Sequence, residues 1–197
     1  MKAIVLITMV SLIAGCASTS IKADGSRLKE PLCAATGGPD TVSVIWGPKW
    51  RLDQKEPPLR EAAALKGIEM FLDAQPCQKH SKIHQISIPD NYYSITDAEI
   101  ISLSTNLHDE ADKIVFLVVR ELGPKLIIGI PNLIEGGTEV VVESRVVDRR
   151  AGVTISNIKT HWQKGGPFYI KGVKSLDKDM RTALGVAFEP ISNDPLQ

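Results

Sequence analysis

Six consecutive apolar residues, Ile114-Val115-Phe116-Leu117-Val118-Val119, set the strongest constraint on what this 197-residue chain can become. They are β-branched or aromatic apart from Leu117, and Lys113 and Arg120-Glu121 close the run at its two ends. Successive residues of a strand lie on opposite faces, so a run of this kind needs cover on both faces at once. Residues 113–121 are therefore expected to form a central strand of a sheet flanked by other elements.

The rest of the chain supplies those elements. Thr41-Val42-Ser43-Val44-Ile45-Trp46 reads as a first strand ended by Gly47-Pro48. Pro57-Pro58 suits the start of a helix, Leu65, Ile68 and Leu72 recur at helical spacing, and the helix is expected to stop near Gln75-Pro76. Ile83 to Ile88 alternates and ends at Pro89-Asp90-Asn91, a second strand. Thr96 with Glu99 forms a capping-box pattern ahead of Ile100, Leu103 and Leu107, a second helix. After the central strand, Gly123-Pro124-Lys125 is expected to turn the chain into a hairpin partner over 126–130. Gly136-Gly137 reads as a turn before a strand over 138–147, and a loop over 148–152 precedes a strand over 153–162. Gly165-Gly166 reads as a further turn. Ser175 can cap a last helix with Asp177 and Asp179 in its first turn and Leu176, Met180, Leu184 and Ala187 as its apolar stripe. The predicted order is β-α-β-α-β-β-β-β-α, an α+β fold built as two layers, as a single domain over 41–190 with a short tail at 191–197.

Lys2 followed by the apolar run Ile4 to Ile13 has the form of a signal peptide, since ten apolar residues are too few to span ~30 Å of hydrocarbon as a helix. Leu12-Ile13-Ala14-Gly15-Cys16 resembles the lipobox of bacterial lipoproteins. That resemblance implies cleavage before Cys16, a diacylglycerol on its thiol and a further acyl chain on its amino group, enough for stable anchoring. Ala17-Ser18 lacks the aspartate that retains many such lipoproteins on the inner membrane, so the outer membrane, periplasmic face, is the expected address. Residues 16–40 are rich in Ser, Lys, Gly and Pro and are expected to be the lipidated end and a linker, its 18–39 stretch reaching about 25 Å as a coil. Removal of residues 1–15 takes Lys2 from the 23 Lys and Arg and nothing from the 23 Asp and Glu, leaving a net charge of −1. That excludes a global basic field for nucleic acid. Cys33 and Cys77 remain as an even pair in an oxidising compartment. One precedes the first strand and the other follows the first helix, positions that a strand-helix crossover brings to the same side, so a disulfide is expected.

The element order, with Ala111-Asp112-Lys113-Ile114-Val115, the span from Thr138-Glu139-Val140 to Val147-Asp148, and Gly165-Gly166-Pro167-Phe168, resembles the periplasmic domain of the curli-secretion lipoproteins. The lipoprotein activators of penicillin-binding proteins and the N-terminal domain of the Tol system's propeller protein share that anticodon-binding-like mixed sheet. The resemblance covers roughly residues 40 to 190. It implies a non-enzymatic protein that binds a periplasmic partner in envelope assembly, secretion or cell-wall synthesis, without a cofactor.

Chemical constellations are sparse. Cys77, His80 and His84 have spacing that metal ligands use, but a fourth ligand is missing nearby and Cys77 is expected to be oxidised, so no metal is assigned. His108, Asp109 and His161 offer the parts of a hydrolase without a Gly-x-Ser-x-Gly elbow or a His-Glu-x-x-His pair. A cell-wall hydrolase or metal-dependent enzyme and an oligomeric secretion-channel subunit stand as alternatives. Arg145, Arg149 and Arg150 form the densest basic cluster, with Arg120 and Lys125 placed near them by the expected hairpins, and Trp50 and Trp162 stand beside charged residues. These five, Trp50, Trp162, Arg145, Arg149 and Arg150, are the candidate partner contacts.

Overall fold

The computed structural model describes residues 18–33, 41–77, 81–129, 133–167 and 172–191, with the backbone alone for 126–129, 133–135, 167 and 174. The expected signal peptide, Cys16, His80, Phe168 and the tail beyond Ile191 lie outside the described residues. Among the described residues six strands and three helices follow in the order β1 (Ser18–Ser26), β2 (Val42–Pro48), α1 (Pro57–Leu72), β3 (Ser81–Gln85), α2 (Asp97–Asn106), β4 (Lys113–Gly129), β5 (Leu133–Asp148), β6 (Val153–Pro167) and α3 (Leu176–Ala187). A short 3₁₀ turn, Tyr92–Ser94, precedes α2. They form one open mixed sheet, β1-β6-β5-β4-β2-β3, with β2 parallel to β3 and β4 and the remaining pairs antiparallel. The expected α+β class holds.

The central strand stands where the apolar run requires it. Ile114 to Val119 are all buried, and they divide between two cores by strand alternation. Val115, Leu117 and Val119 join Val44, Trp46, Val140, Val142 and the apolar faces of α1 and α3. Ile114, Phe116 and Val118 join Ile45, Val147 and Ile100 of α2. Each such side chain, moved from water to the core, contributes about 1.5–3 kcal/mol before the entropy cost is counted. α2 begins at the expected capping box: Thr96 Oγ1 accepts from the Glu99 backbone N–H at 3.2 Å, and the Glu99 carboxylate accepts from the Thr96 N–H at 2.7 Å. Helices α1 and α3 touch at Gly67, where a Cβ would lie 2.5 Å from that of Met180. Lys66 and Asp177 pair across the same contact at 2.8 Å.

Three expectations change. Gly123-Pro124-Lys125 makes no turn, and β4 runs through it without interruption to Gly129, so its hairpin with β5 closes beyond that residue. The pairing with β2 ends at Val119, so among the described residues no strand pairs with the outer half of β4 on that edge, and a proline is tolerated there. Gly123 is needed for space, since a Cβ would fall 1.6 Å from Arg60 Nη1. Arg60 is buried, and it donates to the carbonyls of Leu122 and, at 2.6 Å, Lys55. Gly136-Gly137 and Gly165-Gly166 also lie inside strands, paired with each other across β5 and β6. A Cβ on Gly137 would come within 2.6 Å of the Lys164 carbonyl oxygen, so these glycines permit a close backbone approach.

The third change concerns the linker. Residues 18–26, expected to be coil, form β1, which pairs with β6 along its whole length, Ser18 opposite Gly165 and Ser26 opposite Asn157. An edge strand needs backbone pairing and little apolar pattern, and Ile21 and Ala23 are the only apolar side chains of consequence in it. Beyond it Leu28, Leu32 and Cys33 are buried. The Leu32 carbonyl accepts from Lys113 Nζ at 2.8 Å, and the Leu28 carbonyl accepts from the Ile191 N–H at 2.9 Å. The 25 Å reach expected for residues 18–39 is therefore lost over 18–33.

Cys33 and Cys77 are disulfide-bonded, with Cα atoms 5.5 Å apart and a separation of 44 in sequence. Loop closure over that length predicts a loss of about 4 kcal/mol on reduction, in the chain-entropy treatment. Urea unfolding with and without reductant measures it, and superimposable curves would remove the bridge as a source of stability. Gly123→Ala should cost about 2–3 kcal/mol, because Arg60 must abandon buried carbonyls to make room. A companion Arg60→Ala variant with no loss of stability would contradict that account.

Candidate functional site

The sheet face that α2 covers is apolar only where α2 sits. Beyond it, β5 and β6 turn polar on the same face: Glu143 lies opposite Lys159, and Arg145 opposite Asn157. β1 continues the face with Lys22 opposite His161 and Asp24 opposite Lys159. An antiparallel sheet with one wet face reads this way along each strand. At the border between the covered and the wet halves stands the most organised group of side chains on that face.

Arg120 occupies a register shift in β4, where Val119 pairs with Val142 and Glu121 with Val141. A bulge of this kind leaves one residue out of the ladder and re-aims its side chain. Arg120 Nη1 donates to the hydroxyls of Tyr92 and, at 2.6 Å, Tyr93. Its guanidinium also lies 5.8 and 5.9 Å from the two ring centroids. The tyrosine rings stand 3.9 Å apart, tilted by 34°. The Tyr92 hydroxyl donates to Glu143 Oε2 at 2.8 Å, and Glu143 Oε1 pairs with Lys159 at 3.5 Å. Tyr92 is buried while Tyr93 is 64% exposed, so the group is fixed on one side and presented to solvent on the other. A cleft of about 140 Å³ opens beside it, lined by both tyrosines with Phe116, Val118, Glu143 and Arg145. Burial first, then the hydrogen bonds with Tyr93 and Glu143, push the Tyr92 phenol far above its ordinary value.

The residues expected to make partner contacts are dispersed. Trp162 is 3% exposed and belongs to the core beside α3, which removes it as a surface anchor. Trp50 is half-buried against the same core, and its indole N–H donates to Glu61 at 3.4 Å. Arg145 braces the start of α2, donating to the Ile95 carbonyl at 2.5 Å and standing 3.7 Å from Asp97. Arg149 donates to the Asp109 carbonyl at 2.8 Å, which pins the loop after α2. Arg150 is exposed and pairs with Asp112 at 2.7 Å. Lys125, instead of joining these, lies 3.8 Å from Glu139. Of the wider basic set, Arg120 alone enters the tyrosine group. Tyr92 and Tyr93 are not among the expected contacts, and their signal in the sequence is a pair of aromatics directly after Pro89-Asp90-Asn91.

Two histidines meet carboxylates: His84 Nε2 is 2.9 Å from Asp109 Oδ2, and His161 Nε2 is 2.5 Å from Glu139 Oε1. Among the described residues no hydroxyl or thiol hydrogen-bonds either ring. No group of three metal-ligating residues occurs among the described residues, and the Cys77 sulfur is held by Cys33.

No protein-family model matches the chain, and no curated protein matches it. Among solved structures it is similar to a PelC dodecamer from Paraburkholderia phytofirmans, at 13% identity and a TM-score of 0.47, over 87% of this chain and 99% of that one. It is also similar to the lipoprotein GNA1162 from Neisseria meningitidis, at 11% identity and a TM-score of 0.41, over 74% of this chain and 96% of that one. A neuraminyllactose-binding hemagglutinin homolog from Helicobacter pylori follows at 11% and 0.39, over 75% and 82%. Likeness at this level does not carry function from one protein to another.

Two titrations follow from this geometry. At about pH 11, one unit above the ordinary phenol value, Tyr92 should still be protonated, so Tyr92→Phe should leave the tyrosinate absorbance unchanged. A drop by one tyrosine's share would show that Tyr92 titrates normally. The Thr41 backbone N–H and hydroxyl, with Arg150 beside them, hold the Asp112 carboxyl below the usual carboxylate range. A lowered value stabilises the fold above the ordinary carboxylate pKa and loses that contribution as pH falls through the folded one. Asp112→Asn should therefore cost about 1 kcal/mol at neutral pH, a gap that closes on acidification. A gap independent of pH in denaturation curves would refute the assignment.

Proposed function

We propose that this chain is a non-enzymatic lipoprotein of the bacterial envelope, held by lipid on Cys16 at the periplasmic face of the outer membrane. Its domain binds a protein partner in envelope assembly, secretion or cell-wall synthesis. The observation that supports partner binding is the Tyr92-Tyr93-Arg120 group: tyrosine and arginine, rigidly held, half in the core and half in solvent, at the rim of a cleft. Interfaces draw most of their energy from such residues, because side chains already fixed before binding lose little entropy on contact. The polar sheet face beside the group carries both signs of charge, Glu143 and Asp24 with Lys159 and Lys22, which suits a protein surface better than a polyanion.

Cells given an alkyne-tagged palmitate should label the wild-type protein, and Cys16→Ala should lose both the label and the membrane fractionation. A labelled Cys16→Ala protein would overturn the anchor. For the binding surface, a photo-crosslinking amino acid at Tyr93 should give one discrete protein adduct in intact envelopes, and Arg120→Ala should abolish it. The same adducts with and without Arg120 would count against this corner as the contact.

A further inference from the structure

The outer half of the β4–β5 hairpin stands apart from the rest of the sheet in composition. Beyond Lys125 the described strand residues are Leu126, Ile127, Ile128 and Gly129 on β4, and Leu133, Ile134 and Glu135 on β5. Ile127 and Ile128 are consecutive, as are Leu133 and Ile134, so the apolar residues fall on both faces of the ribbon. The last described pair of β6 is Pro167 with Glu135, and past it the described residues make a ribbon of two strands. An isolated two-stranded ribbon is marginal in water, and one apolar on both faces needs an apolar medium around it.

The pairing rows say where such a medium lies. Ser18, the first residue of β1, is opposite Gly165, Gly165 is opposite Gly137, and Gly137 is opposite Lys125. The row that begins β1 is therefore the row from which the arm departs. Cys16 precedes Ser18 by two residues, which span at most ~7 Å. Lys164, opposite Thr138 and Thr19, lies in the adjoining row with Lys125 close by. Lysines at that level suit anionic head groups.

We propose that the β4–β5 arm is a membrane-seating element: residues 126–129 and 133–134 enter the leaflet that receives the Cys16 lipid, and Lys125, Glu135 and Lys164 stay at the head groups. The inference rests on the lipid anchor proposed above and adds a fixed orientation to it. From Lys125 to Gly129 the arm extends about 13 Å, which reaches into one leaflet of a ~30 Å hydrocarbon layer without crossing it. The domain stands on the membrane by two feet, lipid and hairpin, with the β5–β6 turn at Arg150 directed away from it.

The test uses the full lipoprotein, extracted in detergent and reconstituted into phosphatidylethanolamine–phosphatidylglycerol vesicles. Acylation of Cys16 and the Cys33–Cys77 bridge leave an introduced cysteine as the free thiol. An environment-sensitive fluorophore on Ile134→Cys should be quenched by doxyl-labelled lipid roughly threefold or more strongly than one on Ala151→Cys in the β5–β6 turn, as expected for an apolar segment below the head groups. Leu126→Cys serves as the second arm position if Ile134→Cys fails to fold. Equal quenching in protein that still floats with the vesicles would overturn the seating and leave the anchor standing. A Cys16 peptide without acyl mass, together with lost flotation, would overturn the anchor and the seating with it. A blue-shifted arm label that lipid does not quench, in protein that crosslinks to itself through the arm, would overturn the seating in favour of a second copy.

Discussion

Covering both faces of β4 is the constraint from which the architecture follows. Ile114 to Val119 cannot leave either side of the strand in water, so one helix pair must pack on one face and a third helix on the other. β2 lies parallel on one edge and β5 antiparallel on the other, which closes the backbone as well as the side chains. Once β4 passes Val119 that requirement lapses. Its partner β2 has ended, the sequence admits Arg120, Glu121, Gly123 and Pro124, and the strand changes from a core element to an edge. The tyrosine group and the hairpin arm both belong to this second half.

How much of this was legible depended on whether the signal was local. Thr96 with Glu99 names its own helix start, since both hydrogen bonds lie within four residues. Pro57-Pro58 and the stripe of α3 are similar cases, and Cys33 with Cys77 could be placed from a crossover alone. The glycines misled because a turn and a close strand approach ask the same thing of a residue, the absence of a side chain. Only the neighbouring strand distinguishes Gly136-Gly137 from a turn, and that strand is about 30 residues away. β1 was invisible for a related reason: an edge strand held by backbone pairing leaves almost no mark on composition.

The arginines show the same limit at the level of the site. Arg145 and Arg149 cluster in sequence with Arg150, and charge density alone suggests a patch. In the fold the first two are consumed by carbonyls, at Ile95 and Asp109, where they hold the two ends of α2 against β5. Arg120, isolated in sequence at the end of an apolar run, is the one that meets aromatic rings. A guanidinium has five donors, and which acceptors it finds is decided by long-range packing. Sequence shows the donor and withholds the acceptor.

The pairing of β1 with β6 also has a consequence for the order in which the protein assembles. Its hydrogen bonds join residues 131 to 147 positions apart, among the longest separations in the molecule. During synthesis the amino-terminal segment emerges first, yet its partner edge is absent until nearly the entire chain has followed. Loop closure over that distance comes late in folding. The β1 edge is therefore among the last parts of the sheet to be paired, although its residues are the first of the described chain to be made.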